Sequence, residues 1–168
     1  LAGGKEKGLL IYKIQKPESP ITLTMDVLRS LIAQGEKQLV LTNIRFFSLD
    51  MTNSTAKELI GLGLGKHVIE KVLEADVPIS NDVTTELIRA GFGGHFISRP
   101  HLHGLSKSEL LEAIMQSGGG HVSVVYKLDY FAPEISPRQM AEIFKKYGKE
   151  SIVETYADMF GLEQEQSA

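Results

Sequence analysis

The chain has 168 residues, 42% of them hydrophobic and 23% charged, which suffices for one globular core. Its net charge of −3, with acids and bases interspersed, argues against nucleic acid and anionic membrane as partners. It has no cysteine, which excludes disulfides, thiolate catalysis, iron–sulfur clusters and cysteine-based zinc sites.

Residues 1–7 (LAGGKEK) read as a flexible N-terminal segment and residues 163–168 (EQEQSA) as a flexible C-terminal tail. Between them, residues 8–162 hold no linker and read as a single domain. The chain begins with Leu1, which leaves a removed leader open. No apolar run approaches the ~18 residues of a membrane span, and the lack of cysteine fits the expectation of a cytoplasmic protein.

Gly8–Gln15 (GLLIYKIQ) is short, apolar and β-prone, and reads as a first strand. An internal repeat then emerges in five eleven-residue windows that begin at Arg29, Glu58, Glu86, Glu112 and Glu142. The third position is always large and apolar: Leu31, Ile60, Ile88, Ile114 and Phe144. The eleventh is also apolar: Leu39, Val68, Phe96, Val122 and Ile152. A glycine falls between them each time (Gly35, Gly63, Gly91, Gly118 and Gly148).

The segment before each glycine has helical character. Start signals precede it at Asn53-Ser54-Thr55, Asn81-Asp82, Ser106 with Glu109, and Ser136 before Pro137. Glycine supplies the left-handed C-terminal residue that closes a helix. The β-branched stretches Gln38–Ile44 and His121–Leu128, each just after a glycine, read as strands. The expected fold is therefore α/β: about five helix–glycine–strand repeats of ~28 residues with a largely parallel sheet, solenoid-like. A flavodoxin-like open sheet is the alternative. It fits less well because VIEKVLEA and FISRPHLH are too polar for central strands.

Ile60–Lys66 (IGLGLGK) fails as a phosphate loop, since Ile60 replaces its first glycine and His67 its Ser or Thr. Gly63-Leu64-Gly65 and Gly91-Phe92-Gly93 suit a helix-hairpin-helix better, the basis of a phosphate- or DNA-binding alternative. His95, His101, His103 and His121 form a histidine-rich stretch and are the candidate ligands for zinc or another divalent metal. They would serve a small metal-dependent enzyme. The bland reading, with His67, His95 and His121 in a row at equivalent strand starts and no metal or other cofactor, is preferred. Arg99, His101 and His103 stand out as ligand-binding candidates, because Arg99-Pro100 predicts an extended segment open to an anion or a partner. Among the aromatics, Phe46, Phe47, Tyr126, Tyr130 and Phe131 suit core packing or a recognition surface. The leading functional expectation is a non-enzymatic interaction or regulatory domain that presents a repeat surface to a protein partner.

Overall fold

The computed structural model describes residues 2–162, with side chains from residue 4 onward. The expectations placed on Leu1 and on residues 163–168 lie outside the described residues. Among the described residues there are helices and no strand; the one β-type contact is an isolated bridge between Leu23 and Phe47. The α/β expectation, solenoid-like or flavodoxin-like, is thus overturned: this is an all-helical fold.

In chain order the helices are α1 (Ala2–Gln15), α2 (Met25–Ala33), α3 (Lys37–Thr42), α4 (Asn53–Gly61), α5 (Gly65–Ala75) and α6 (Asn81–Leu87). Then come α7 (Gly93–Ser98), α8 (Lys107–Met115), α9 (His121–Val125), α10 (Leu128–Phe131), α11 (Pro137–Lys146) and α12 (Glu150–Thr155). A wide, π-type turn joins α6 to α7 at Ile88–Phe92, and 3₁₀ turns lie at Ile44–Phe46 and Pro100–Leu102. The expected first strand, Gly8–Gln15, is the end of α1.

The repeat survives with its second half changed. Each unit is a pair of short helices joined at a left-handed glycine: α2/α3, α4/α5, α6/α7, α8/α9 and α11/α12. The glycines are Gly35, Gly63, Gly91, Gly120 and Gly148, with φ of +83°, +84°, +101°, +89° and +74°. They stand 28, 28, 29 and 28 residues apart. In the fourth unit the left-handed residue is Gly120, two residues beyond the Gly118 expected from sequence. At Gly35, Gly63 and Gly148 the next residue's N–H donates five residues back. Glu36 bonds the Leu31 carbonyl (2.9 Å), Leu64 that of Leu59 (2.8 Å) and Lys149 that of Phe144 (2.9 Å). This bond consumes a carbonyl that the finished helix leaves orphaned and turns the chain directly into the second helix.

The start of each unit is equally regular. The N-caps are Thr24, Thr52, Ser80, Ser106 and Ser136, and all but Thr24 accept a backbone N–H on the side-chain oxygen. Ser106 and Ser136 complete capping boxes with Glu109 and Gln139. Four residues after each cap the side chain is buried: Leu28, Ala56, Thr84, Leu110 and Met140. Five residues after each left-handed glycine it is buried again, at Val40, Val68, Phe96, Val125 and Val153. The window-three residues Leu31, Ile60, Ile88, Ile114 and Phe144 are buried as expected. A fully buried Leu, Ile or Phe contributes about 1.5–3 kcal/mol, so these recurring positions hold the fold.

The chain divides into two compact units, Leu1–Lys71 and Val72–Ala168. In the first, α1 packs on α2 and on the Ile44–Phe46 turn, and α2 packs on α3. Arg29 donates two bonds to the Glu58 carboxylate, one of them Nη2 to Oε1 at 2.9 Å. These two side chains occupy the same place in successive repeats, so the pair records their stacking register.

In the second, α7 packs on α8 and α9, and α11 on α12. The approach is close because α7 begins with glycines. A Cβ on Gly93 would lie 2.7 Å from Ile114 Cγ1, and one on Gly94 would lie 2.6 Å from Ser123 Oγ. Gly93 and Gly94, with Gly119 and Gly120 opposite them, are therefore packing features of this seam.

The strand expectation failed for a physical reason visible in α9. Its buried residues, His121, Val124 and Val125, continue to Leu128 at the i, i+3, i+4, i+7 spacing of a helix. Val122 and Tyr126, which strand alternation would place with Val124, are exposed. β-branched composition was outweighed by the side-chain period, because burial and not propensity stabilises a five-residue helix.

Candidate functional site

The candidates Arg99, His101 and His103 lie on the connection between the third and fourth repeats. The segment is not extended: Pro100–Leu102 is a 3₁₀ turn that buries Leu102, whose carbonyl accepts the Ile79 N–H at 2.9 Å. Arg99 Nη1 donates to the Leu73 carbonyl (3.2 Å) and lies 3.5 Å from Asp76 Oδ1. His101 Nε2 is 2.8 Å from that same oxygen. Asp76 has φ +54°, the left-handed residue that ends α5. Arg99 and His101 thus tie the turn to a helix end, in exposed positions where such pairs contribute little.

His103 points inward. Its Nδ1 accepts the Leu105 N–H (3.1 Å) and its Nε2 faces the Phe96 carbonyl (3.2 Å), which assigns the neutral form with the proton on Nε2. Its ring stands edge-on to Phe96. Burial holds its imidazolium below the usual histidine range, against a weaker pull from the Phe96 carbonyl. Both ring nitrogens are committed to the chain.

The metal candidates do not come together. His95 is exposed on α7, beside the Phe92 ring, while His121 is buried at the start of α9. Among the described residues no three histidine, aspartate or glutamate side chains converge as a metal site. The histidine row at strand starts is also overturned, since the strands are absent among the described residues and the register differs. His67 and His95 fall four residues after their left-handed glycines, whereas His121 comes directly after Gly120. His121 occupies the place that Leu64 fills in the second unit and Lys149 in the fifth.

Two grooves are lined by residues singled out in the sequence. One, of about 400 Å³, is lined by Gln38, Leu41, Thr42, Ile44, Lys66, His67 and Glu70. The glycine hairpin beside it does join two helices, as a helix-hairpin-helix requires, but Glu70 opposes an anion there. The other, of about 360 Å³, lies on the glycine seam and is lined by Gly91, Phe92, Gly94, His95, Ser98, Gly120 and Ser123.

The aromatics separate cleanly. Phe47 and Phe131 are core residues, and Tyr130 packs edge-on to Phe131 under Lys107. Tyr126 is 60% exposed and stands edge-on to Tyr156 with ring centres 5.8 Å apart. The neighbouring Tyr126 hydroxyl pushes the Tyr156 hydroxyl up in pKa. Val122, one turn before Tyr126 on α9, and Met159, shortly after Tyr156, are exposed as well. Sequence reasoning named Tyr126 among surface candidates but missed Tyr156, whose partner is set by the stacking of the fourth and fifth repeats.

No helix among the described residues is long and apolar enough to cross a membrane. No family model, curated protein or solved structure matches the chain.

Proposed function

We propose that the chain is a non-enzymatic, cytoplasmic interaction module whose helical repeats present an aromatic surface to a protein partner. The carrying observation is the exposed Tyr126, set against Tyr156 with Val122 on the same helix. Tyrosine suits this role because it offers a large, rigid apolar body and a polar tip at low entropic cost. Repeat folds suit it too, since each unit spends its buried positions on its neighbours and leaves its outer helix positions free to vary.

The test compares immobilised wild-type chain with a Tyr126→Ser/Tyr156→Ser variant of equal helix content. Protein captured by the wild type is purified and titrated against both. The expected result is at least about a tenfold weaker Kd for the variant, the loss of one good anchor. Equal affinity for the two chains, or no protein titrating with the wild type, overturns the reading.

A further inference from the structure

His121 is the one histidine with a buried, unshared ring nitrogen among the described residues. It is 7% exposed, and its Nε2 finds no hydrogen-bond partner. It comes directly after the left-handed Gly120 and opens α9, the helix that ends at Tyr126. The positive charge of Lys149 acts on the ring; Lys149 comes directly after the left-handed Gly148 and caps α12, the helix that ends at Tyr156. His121 and Lys149 hold the same place in successive repeats. They stand where α9 and α12 begin, and the two tyrosines meet where those helices end.

We propose that His121 is an acid-sensitive pin for the tyrosine surface: its protonation sets two cations against each other at the base of α9 and α12 and loosens α9. This rests on the interaction reading and names a control on that same surface. From α8, the carbonyls of Ile114 and Met115 lie near the ring and favour its charged form. Burial and Lys149 disfavour that form more strongly, and among the described residues Lys149 is the charged group that acts on it. The third element against α9, α7, brings glycines to the seam and exposes His95 to solvent. The helix N-terminus adds its own repulsion toward a cation.

α9 is built to yield. It has five residues, and the bond that opens it, Val124 N to Gly120 O, is long at 3.4 Å. A short helix held by packing opens at little cost once one buried contact turns repulsive. Loosening it separates Tyr126 from Tyr156 and alters the surface that a partner meets.

The experiment is amide hydrogen exchange on the whole chain at pH 7 and pH 5, corrected for intrinsic rates. It reads Val124, Tyr126 and Lys127 without any partner. The variants are His121→Leu, which copies Leu64 of the second repeat, and Lys149→Gln. The wild type should lose at least about tenfold protection on acidification, the equivalent of one unit of pKa difference. His121→Leu should keep only the loss that His103 imposes on the whole chain, well below the wild type's, and Lys149→Gln should also lose less than the wild type. Unchanged wild-type protection, or an equal loss in His121→Leu, overturns the proposal. Should His121→Leu not fold, Lys149→Gln decides: a loss equal to the wild type's overturns it. Because no partner enters, failure here leaves the interaction reading standing, and failure of the tyrosine variant to lose affinity leaves the pin standing.

Discussion

Gly148 and Gly118 both lie in open surroundings, where an added methyl group would touch nothing within 4 Å. Only Gly148 has a left-handed backbone, with φ of +74°. An L-residue pays about 1–2 kcal/mol for that conformation, so Gly148→Ala should destabilise by that amount in urea melts. Gly118→Ala should stay within about 0.5 kcal/mol, because it disturbs neither space nor backbone. Equal costs at the two sites would return the fourth-unit cap to Gly118. The sequence marks a glycine run at residues 118–120 without saying which member turns the chain. α8 ends at Met115, nine residues long like α4, so the extra residues lie between its end and Gly120. His121 was legible as a histidine in an apolar setting, but Lys149, whose charge acts on it, lies 28 residues away and emerges only when successive repeats are stacked.

At the scale of the element, helix starts were readable and their continuations were not. Ser106 and Ser136 announce themselves through Glu109 and Gln139, three residues on, and both capping boxes form. Ser106→Ala should therefore cost about 0.5–2 kcal/mol, and Thr24→Ala much less because the Thr24 side chain makes no cap bond. A Thr24 variant as damaging as the Ser106 variant would mean that the cap bond is not the source of the effect. The segment after each glycine was harder to read. A Schellman turn ends a helix identically whether strand or helix comes next, and six-residue segments such as Lys37–Thr42 are too short for composition to decide. Only the spacing of buried side chains, clearest from His121 to Leu128, carried the helical period.

For the whole molecule, far-UV circular dichroism should show the paired minima of helix, and a β-type spectrum would contradict the fold. The pH dependence of stability should have two windows. His103 and His121 are both held below the usual histidine range, chiefly by burial. The unfolded chain then takes up protons first, from about pH 6.5 downward. Stability is therefore flat above that point and declines as pH falls toward the folded-state values, by at most about 1.4 kcal/mol per pH unit for each histidine. Glu58 and Glu109 are shifted down, by the Arg29 pair and by the Ser106 cap bonds. Their contributions persist to lower pH and fade below about 4.3. Urea melts at pH 7.5, 5.5 and 3.5 separate the windows, and a stability that stays level between 7.5 and 5.5 would assign no cost to the buried imidazoles.

The glycines keep a steadier beat than the caps. Thr24, Thr52 and Ser80 each precede their left-handed glycine by 11 residues, Ser106 by 14 and Ser136 by 12. The interval between glycines nevertheless stays at 28 or 29, because the stretch from Gly91 to Ser106 is two residues shorter than that from Gly63 to Ser80. Insertions and deletions are thus free to occur on either side of a cap so long as they cancel before the next glycine. A length change left uncancelled would put every later second helix out of phase with its neighbour. The fourth unit, three residues longer before its glycine and reached by a connection two residues shorter, comes within one residue of such an exchange.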